Sequence, residues 1–397
     1  MKKNRLAALL AAAAIALSMT ACAGGTSDSG ETTEAPTAET TAAKVHAPMR
    51  DIPSTELVKE MKVGWNLGNT LDSVIQNPKG TELPSDWETA WGQPVTTKAM
   101  IDNVASQGFN VLRVPTTWEG KFGEGPDYKI DPDWMARVTE IVDYGIDNDM
   151  FVILNIHHEE WHMPKYDNEA KAQEILTALW SQIAENFKDY NEKLIFEGMN
   201  EPRLKGEPNE WNGGNAEARD VINHWNAAFV ETVRNAGGNN KLRHLMVTPY
   251  AASSLDSVLN DFVVPEDDKV IVSVHAYLPY TFALAEPAQA TKEWSADKPS
   301  DTQDIDVLMV KLKEYYLDKG IPVIIGEMGT RNRMNTEARA ECARYYSNAA
   351  HNAGIPICWW DNNAFVGSGE NFGIFDRKTF EWRYPDINAA LMEPFAE

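Results

Sequence analysis

Cysteine is almost absent from this chain, three residues in 397. Apart from Cys22 in the leader, only Cys342 and Cys358 remain, which is too few for a disulfide framework in a domain of this size. Both lie in apolar patterns and read as small buried hydrophobes. Basic residues are also scarce, 36 Lys and Arg against 59 Asp and Glu, a formal net charge of −23. A protein so acidic does not grip a phosphate backbone, which excludes nucleic acid as a partner. Long apolar runs are missing except for Leu6 to Leu17, too short to cross a bilayer comfortably. No G-x-G-x-x-G follows the first predicted strand, so dinucleotide binding has no support.

The one apolar run is informative by position. Lys2, Lys3 and Arg5 precede it, and Leu17-Ser18-Met19-Thr20-Ala21-Cys22 follows. That is a secretory signal over residues 1–21, and its end resembles a bacterial lipoprotein cleavage site with Cys22 as the lipidated N-terminus. Residues 22–45 are rich in Thr, Ala and acidic side chains and predict a disordered tether. The expectation is an exported cell-surface protein whose membrane contact is an N-terminal lipid anchor. A single catalytic domain spans 46–397, and a monomer is expected.

Within that domain, short apolar strands alternate with helical patterns. Predicted strands are Val63–Leu67, Val111–Val114, Phe151–Ile156, Leu194–Phe196, Leu245–Thr248, Val270–Val274, Val323–Ile325 and Ile355–Trp359. Helical patterns fall at Thr97–Gln107, Trp134–Asn148, Ala170–Phe187, Asn215–Ala236, Asp304–Lys319 and Thr336–Ala353, several stopped by Gly. Continuous apolar strands are those of a buried parallel sheet. Eight β-then-α units predict an α/β fold, a (β/α)8 TIM barrel, with a doubly wound open sheet as runner-up.

In such a barrel the strand C-termini converge on one mouth. Here nearly every strand ends in polar groups: Asn69 and Asp72, Arg113, His157 and His158, Asn200 and Glu201, His275 and Tyr277, Glu327, then Trp360 and Asp361. Their joint placement is the strong signal. Glu201 sits in Phe196-Glu197-Gly198-Met199-Asn200-Glu201-Pro202-Arg203, after an apolar strand that Pro202 closes. Glu327 repeats the arrangement at the seventh strand. Cleaving an acetal needs one carboxyl as acid and another as base or nucleophile. Arg113 is a permanent cation suited to keeping one of them ionised. The other, in a more apolar setting beside Pro202, would keep its proton. Asn200 suits a sugar hydroxyl.

Aromatic side chains add to this. Trp134, Trp180 and Trp225 read as core. Trp87, Trp91, Trp118, Trp161, Trp211 and Trp294 fall in predicted loops, where flat indoles suit pyranose faces. One competing motif, His158-Glu159-Glu160-Trp161-His162, matches the zinc-protease pattern H-E-x-x-H. That pattern needs a helix, whereas this segment follows a strand directly and precedes Pro164.

Gly64–Asp72 (GWNLGNTLD), Leu112–Pro115 (LRVP), Asn155–His158 (NIHH), Glu197–Pro202 (EGMNEP), His275–Tyr277 (HAY), Gly326–Gly329 (GEMG) and Trp359–Asn362 (WWDN) together resemble glycoside hydrolase family 5. The likeness is greatest to its subfamily 4 endoglucanases. The resemblance implies a (β/α)8 barrel and retaining hydrolysis of β-1,4-glucans, with no metal or other cofactor. It implies Glu201 as acid/base and Glu327 as nucleophile, with Arg113, His157, Asn200, His275 and Tyr277 as their polar surround. It also implies Asn69, Asp72, His158 and Trp360 as sugar contacts, with Trp360 rather than Trp359 as the platform. The implied partner is a β-glucan polysaccharide: cellulose, mixed-linkage glucan or xyloglucan. A mannanase shares the same catalytic pair, and a barrel that binds polysaccharide without cleaving it is the alternative from another class.

Overall fold

The structure, a computed structural model, describes residues 47–367 and 369–396. The leader, Cys22 and the tether lie outside the described residues. Among those described, eight parallel strands pair in chain order and the last returns to the first, closing a barrel. They are β1 Val63–Leu67, β2 Val111–Val114, β3 Phe151–Asn155, β4 Leu194–Glu197, β5 Leu245–Val247, β6 Val270–His275, β7 Val323–Met328 and β8 Ile357–Asp361. A helix follows each: α1 Lys98–Ser106, α2 Pro132–Asp147, α3 Tyr166–Asn186, α4 Ala216–Asn235, α5 Asp256–Asp261, α6 Pro299–Tyr315, α7 Thr336–Ala353 and α8 Pro385–Met392. The barrel is the expected one; the open sheet is not.

Local chemistry sets the helix ends. At α2, Asp131 accepts from the backbone N–H groups of Asp133 and Trp134, and Pro132 occupies a position that needs no donor. At α7, Gly354 takes φ 72° and stops the helix. Where α6 was expected at Asp304–Lys319, the helix instead starts at Pro299. It breaks at Tyr316, before a separate 3-10 turn over Leu317–Lys319.

The strands look uniformly apolar in sequence, but their two faces meet different surroundings. Val63, Leu112, Val152, Leu154, Leu194, Phe196, Val272 and Ile325 pack outward under the helices. Val111, Ile153, Ile195, Met246, Ile271, Ile324 and Cys358 form a separate apolar layer, plugged by Leu57, Val58 and Met61. This is the barrel interior, and strand periodicity of two places the next inward residues one layer higher. Those residues are Asn66, Arg113, Asn155, Glu197 and Ser273, all buried. Thus a polar stratum lies on an apolar floor, at the end where the βα loops open.

The floor leaves no room at Gly64. A Cβ there would stand 2.3 Å from Cys358 Sγ and 3.1 Å from Val111 Cβ. Gly64→Ala should therefore lower unfolding stability by about 1–3 kcal/mol through overpacking. Adding Cys358→Ala should recover part of that loss, read as non-additivity in a denaturant double-mutant cycle. Strict additivity would place the cost elsewhere.

Candidate active site

Arg113 stands at the centre of the polar stratum, fully buried. Its Nε donates to Glu197 Oε2 at 2.9 Å, and Nη2 reaches the same oxygen at 2.7 Å. Nη2 also donates to Asn200 Oδ1 at 2.7 Å. Nη1 donates to Glu327 Oε1 at 2.7 Å and to Asn66 Oδ1 at 3.0 Å. Burial alone would favour a neutral group, but the carboxylates of Glu197 and Glu327 outweigh it and hold the guanidinium charged.

Glu327 reaches Arg113 through a break in strand regularity. Between β6 and β7 the register steps from Val274 paired with Ile325 to His275 paired with Glu327. The extra residue is Gly326, whose Cβ would press 3.1 Å from Ser273 Oγ and 3.3 Å from His275 Nε2. A bulge of this kind reverses which face the following side chains take. Without it, Glu327 would point out toward the helices with Ile325. With it, the carboxylate enters the barrel mouth. Tyr277 Oη donates to its second oxygen, Oε2, at 2.7 Å. Burial and the Glu327 charge push the Tyr277 hydroxyl well above its ordinary pKa, so it remains a donor.

Glu201 is not on a strand. β4 ends at Glu197, and Glu201 follows on a loop tied down by its neighbours. Trp180 Nε1 donates to Gly198 O, Thr248 Oγ1 to Met199 O, Asn200 N to Ile156 O, and Ala251 N to Pro202 O. Its setting is also not the apolar one expected from Pro202. His275 Nδ1 donates to Glu201 Oε1 at 2.7 Å, and Arg203 Nη1 lies 3.6 Å from the other oxygen. Burial works to raise Glu201, yet the hydrogen bond and charge of His275, with Arg203 behind, hold it below the usual carboxyl value. Burial likewise works to lower His275, but the charges of Glu327 and Glu201 raise it above 6.5. One oxygen each of Glu201 and Glu327 and a ring nitrogen of His275 all lie within 4.8 Å of one another. Two carboxyl groups about 5–5.5 Å apart are the spacing for displacement through a covalent intermediate, and wider pairs leave room for a water instead.

Comparison with known proteins follows the same line. The sequence profile of the family described as "Cellulase (glycosyl hydrolase family 5)" matches residues 74–366. The chain belongs to glycosyl hydrolase family 5. Endoglucanase A of Clostridium longisporum is 48% identical over 344 residues, which take in 86% of this chain and 66% of that protein. The chain thus spans just under two thirds of that relative's length. Endoglucanase A of Ruminococcus albus is 47% identical over 350 residues, 87% of this chain and 93% of that one. A solved GH5-4 broad specificity endoglucanase from Ruminococcus champanellensis with bound cellotriose is 48% identical. It superposes with a TM-score of 0.84, over 87% of this chain and all of that one.

For this family 5 barrel, the remaining expected residues divide by placement. Trp360 lies on the inward side of β8, its ring parallel to His157 at 4° and 5.9 Å between centroids. Trp359 points outward into the core and donates to Phe372 O. His157 is buried, and burial holds it well below its usual pKa, a neutral ring that takes a hydrogen bond from Asn155. His158, pushed down to about 4 mainly by burial, sits at the mouth 5.7 Å from the Trp91 ring. Asn69 is partly buried at φ 57° on the β1 loop. Asp72 departs from the expected sugar contact. It is fully buried and accepts from the backbone N–H groups of Asn69 and Thr70, so it braces the loop that carries Asn69. Burial raises its pKa to about 6 despite those bonds.

The tryptophans in predicted loops divide too. Trp87, Trp118 and Trp294 are core residues. Trp91 and Trp211 remain exposed, and Trp161 is partly buried. Residues 158–162 form no helix. Among the described residues, His158 and His162 share no group of metal-capable ligands. Glu159 instead accepts from Trp118 N and Trp161 Nε1. Sequence reasoning missed Asn66, Glu197 and Ser273 as parts of the site. Their signal was present in parity: each follows an inward apolar or glycine residue by two.

The His275–Glu201 pair predicts a pH dependence. The raised His275 contributes stability that is complete below its unfolded value of 6.5 and disappears as pH rises through its folded value. The lowered Glu201 contributes stability that is complete above 4.5 and disappears as pH falls through its folded value. The melting-temperature gap between the native protein and His275→Gln should therefore be widest between pH 4.5 and 6.5. A gap that is flat from pH 4 to 9 would contradict the pairing.

Proposed function

We propose that this chain is a retaining endo-β-1,4-glucanase acting on internal bonds of cellulose and mixed-linkage β-glucan. The observation that carries it is the approach of Glu201 and Glu327 within 4.8 Å across the barrel mouth. In the first step a Glu327 oxygen bonds to the anomeric carbon as the glycosidic C–O bond breaks. The departing oxygen takes its electron pair and a proton from Glu201. That proton reaches Glu201 across its 2.7 Å hydrogen bond with His275. In the second step Glu201, now a carboxylate, takes a proton from water, whose oxygen displaces Glu327 from the anomeric carbon. The proton taken from water passes back to His275 across the same hydrogen bond, so one water is consumed and His275 and both glutamates are restored.

The surrounding residues have matching tasks. Arg113 and Tyr277 hold one oxygen each of Glu327, which orients the nucleophile for attack. Asn200 is fixed by Arg113 and presents its amide beside Glu201 for a sugar hydroxyl. Trp360, backed by His157, offers a flat apolar face to a glucosyl ring. The relative from Ruminococcus champanellensis was solved with cellotriose, which supports a cello-oligosaccharide backbone as the ligand. A relative from Caldicellulosiruptor is described as a lichenase, which supports mixed-linkage glucan as a substrate, and its bound cellotetraose again supports a β-1,4-linked backbone as the ligand. Export and anchoring through Cys22 complete the reading, supported by the basic, apolar and small-residue sequence around it.

Reducing-end release from carboxymethylcellulose, barley β-glucan, xyloglucan and mannan tests the assignment. Glu201→Gln and Glu327→Gln should each fold and lower kcat by about 10²–10⁴-fold or more. Proton NMR of the first turnover should show β-configured reducing ends; α-configured ends would sink the double displacement. Cys22→Ala should move activity from the membrane fraction to the culture fluid. Activity already soluble in the native protein would remove the anchor.

A further inference from the structure

We infer that Glu197 is a positioning residue for this reaction, a buried second anion that shares the charge of Arg113 and so sets how tightly the guanidinium holds Glu327. The inference rests on the double displacement above and deepens it. Glu197 is 0% exposed and cannot touch substrate. Its Oε2 accepts from Arg113 Nε at 2.9 Å, Arg113 Nη2 at 2.7 Å and Asn155 Nδ2 at 2.8 Å. Its Oε1 accepts from Ser273 Oγ at 2.6 Å. Three strands, β2, β3 and β6, thus supply donors to one carboxylate directly above an apolar floor.

Packing alone does not explain a charge at this place. A buried ion pair is commonly no more stable than apolar residues of the same shape. The charge does have a use in the reaction. At rest, Arg113 faces two anions, Glu197 along its Nε edge and Glu327 at Nη1. When Glu327 becomes an ester its charge is lost, and without Glu197 the guanidinium would become a buried cation with no counterion. Glu197 keeps Arg113 compensated in the covalent intermediate. At rest it also draws the cation away from Glu327, leaving the nucleophile's electron pair less tightly held.

Glu197→Gln isolates this charge. An amide oxygen in the Oε2 position keeps all three hydrogen bonds there, while the NH2 group can donate to a rotated Ser273 hydroxyl. The other charged and titratable groups facing Glu327 are Arg113 from β2, Glu201 from the β4 loop, His275 and Tyr277 from β6 and its loop, and Glu370 beyond β8. All of them remain in the variant. The folded variant, checked by circular dichroism and melting, should lose kcat by about tenfold or more with KM changed less than about twofold. The acid limb of its kcat/KM profile should move to lower pH, because an undiluted Arg113 favours the ionised carboxylates.

Ser273→Ala provides an independent check if Glu197→Gln does not fold. It leaves Glu197 charged but less compensated, so the acid limb should move the opposite way, to higher pH. A Glu197→Gln profile identical to the native one, or a loss of kcat with an unmoved acid limb, would overturn the inference. So would a Ser273→Ala limb that stays or falls. Native protein inactive on every glucan would overturn the reaction itself, a result distinct from an active native enzyme indifferent to Glu197.

Discussion

A guanidinium sealed inside the barrel is the constraint on which the site depends. Arg113 is closed off from solvent, so each nitrogen must find an acceptor in the protein, and its charge must meet counterions. Removing a partner from such a buried pair commonly costs about 3–5 kcal/mol, because the surviving charge is left alone. The partners therefore cannot drift. Glu327, Asn200, Asn66 and Glu197 all take their places from this one cation, and through them strands β1, β2, β4 and β7 are registered at the catalytic end.

The two glutamates reach the mouth by different routes. Glu327 is on a strand and is turned inward by one inserted glycine, which reverses the face it would otherwise take. Glu201 is on a loop, yet Gly198, Met199, Asn200 and Pro202 around it are bonded to α3, to Ile156 just after β3 and to the β5 loop. Rigid support explains how a loop residue holds a distance of under 5 Å to a strand residue. Of the two, the loop residue Glu201 is the more open to the mouth and the strand residue Glu327 is nearly sealed.

Charge is divided economically among the buried groups. His275 lies between the two carboxylates, its Nδ1 2.7 Å from Glu201 and 3.7 Å from Glu327. Tyr277 donates without ionising, and the histidines beside Trp360 stay neutral, so they add surface and hydrogen bonds without more cations. The zinc-like spacing from His158 to His162 has another explanation here. Glu159 is the tie that shapes the β3 loop, holding Trp118 and Trp161 in place.

The eight-unit alternation and the cluster of polar residues after the strands were legible in the sequence, because strand ends and helix stops are local properties of a few adjacent residues. Family membership was legible for the same reason, as ordered motifs such as GWNLGNTLD, NIHH and EGMNEP. Facing and burial were not. A run such as Val323-Ile324-Ile325-Gly326-Glu327 does not say that an extra residue will be spent at Gly326, since a bulge exists only against the neighbouring strand. Whether Glu201 sits among apolar groups or against a histidine 74 residues away is decided by barrel closure. The burial of Trp87 and Trp118, the inward turn of Asp72, and the contact of Glu197 with Arg113 were decided in the same way. Local order follows from neighbours along the chain, whereas charge balance in a buried site depends on residues that only the closed sheet brings together.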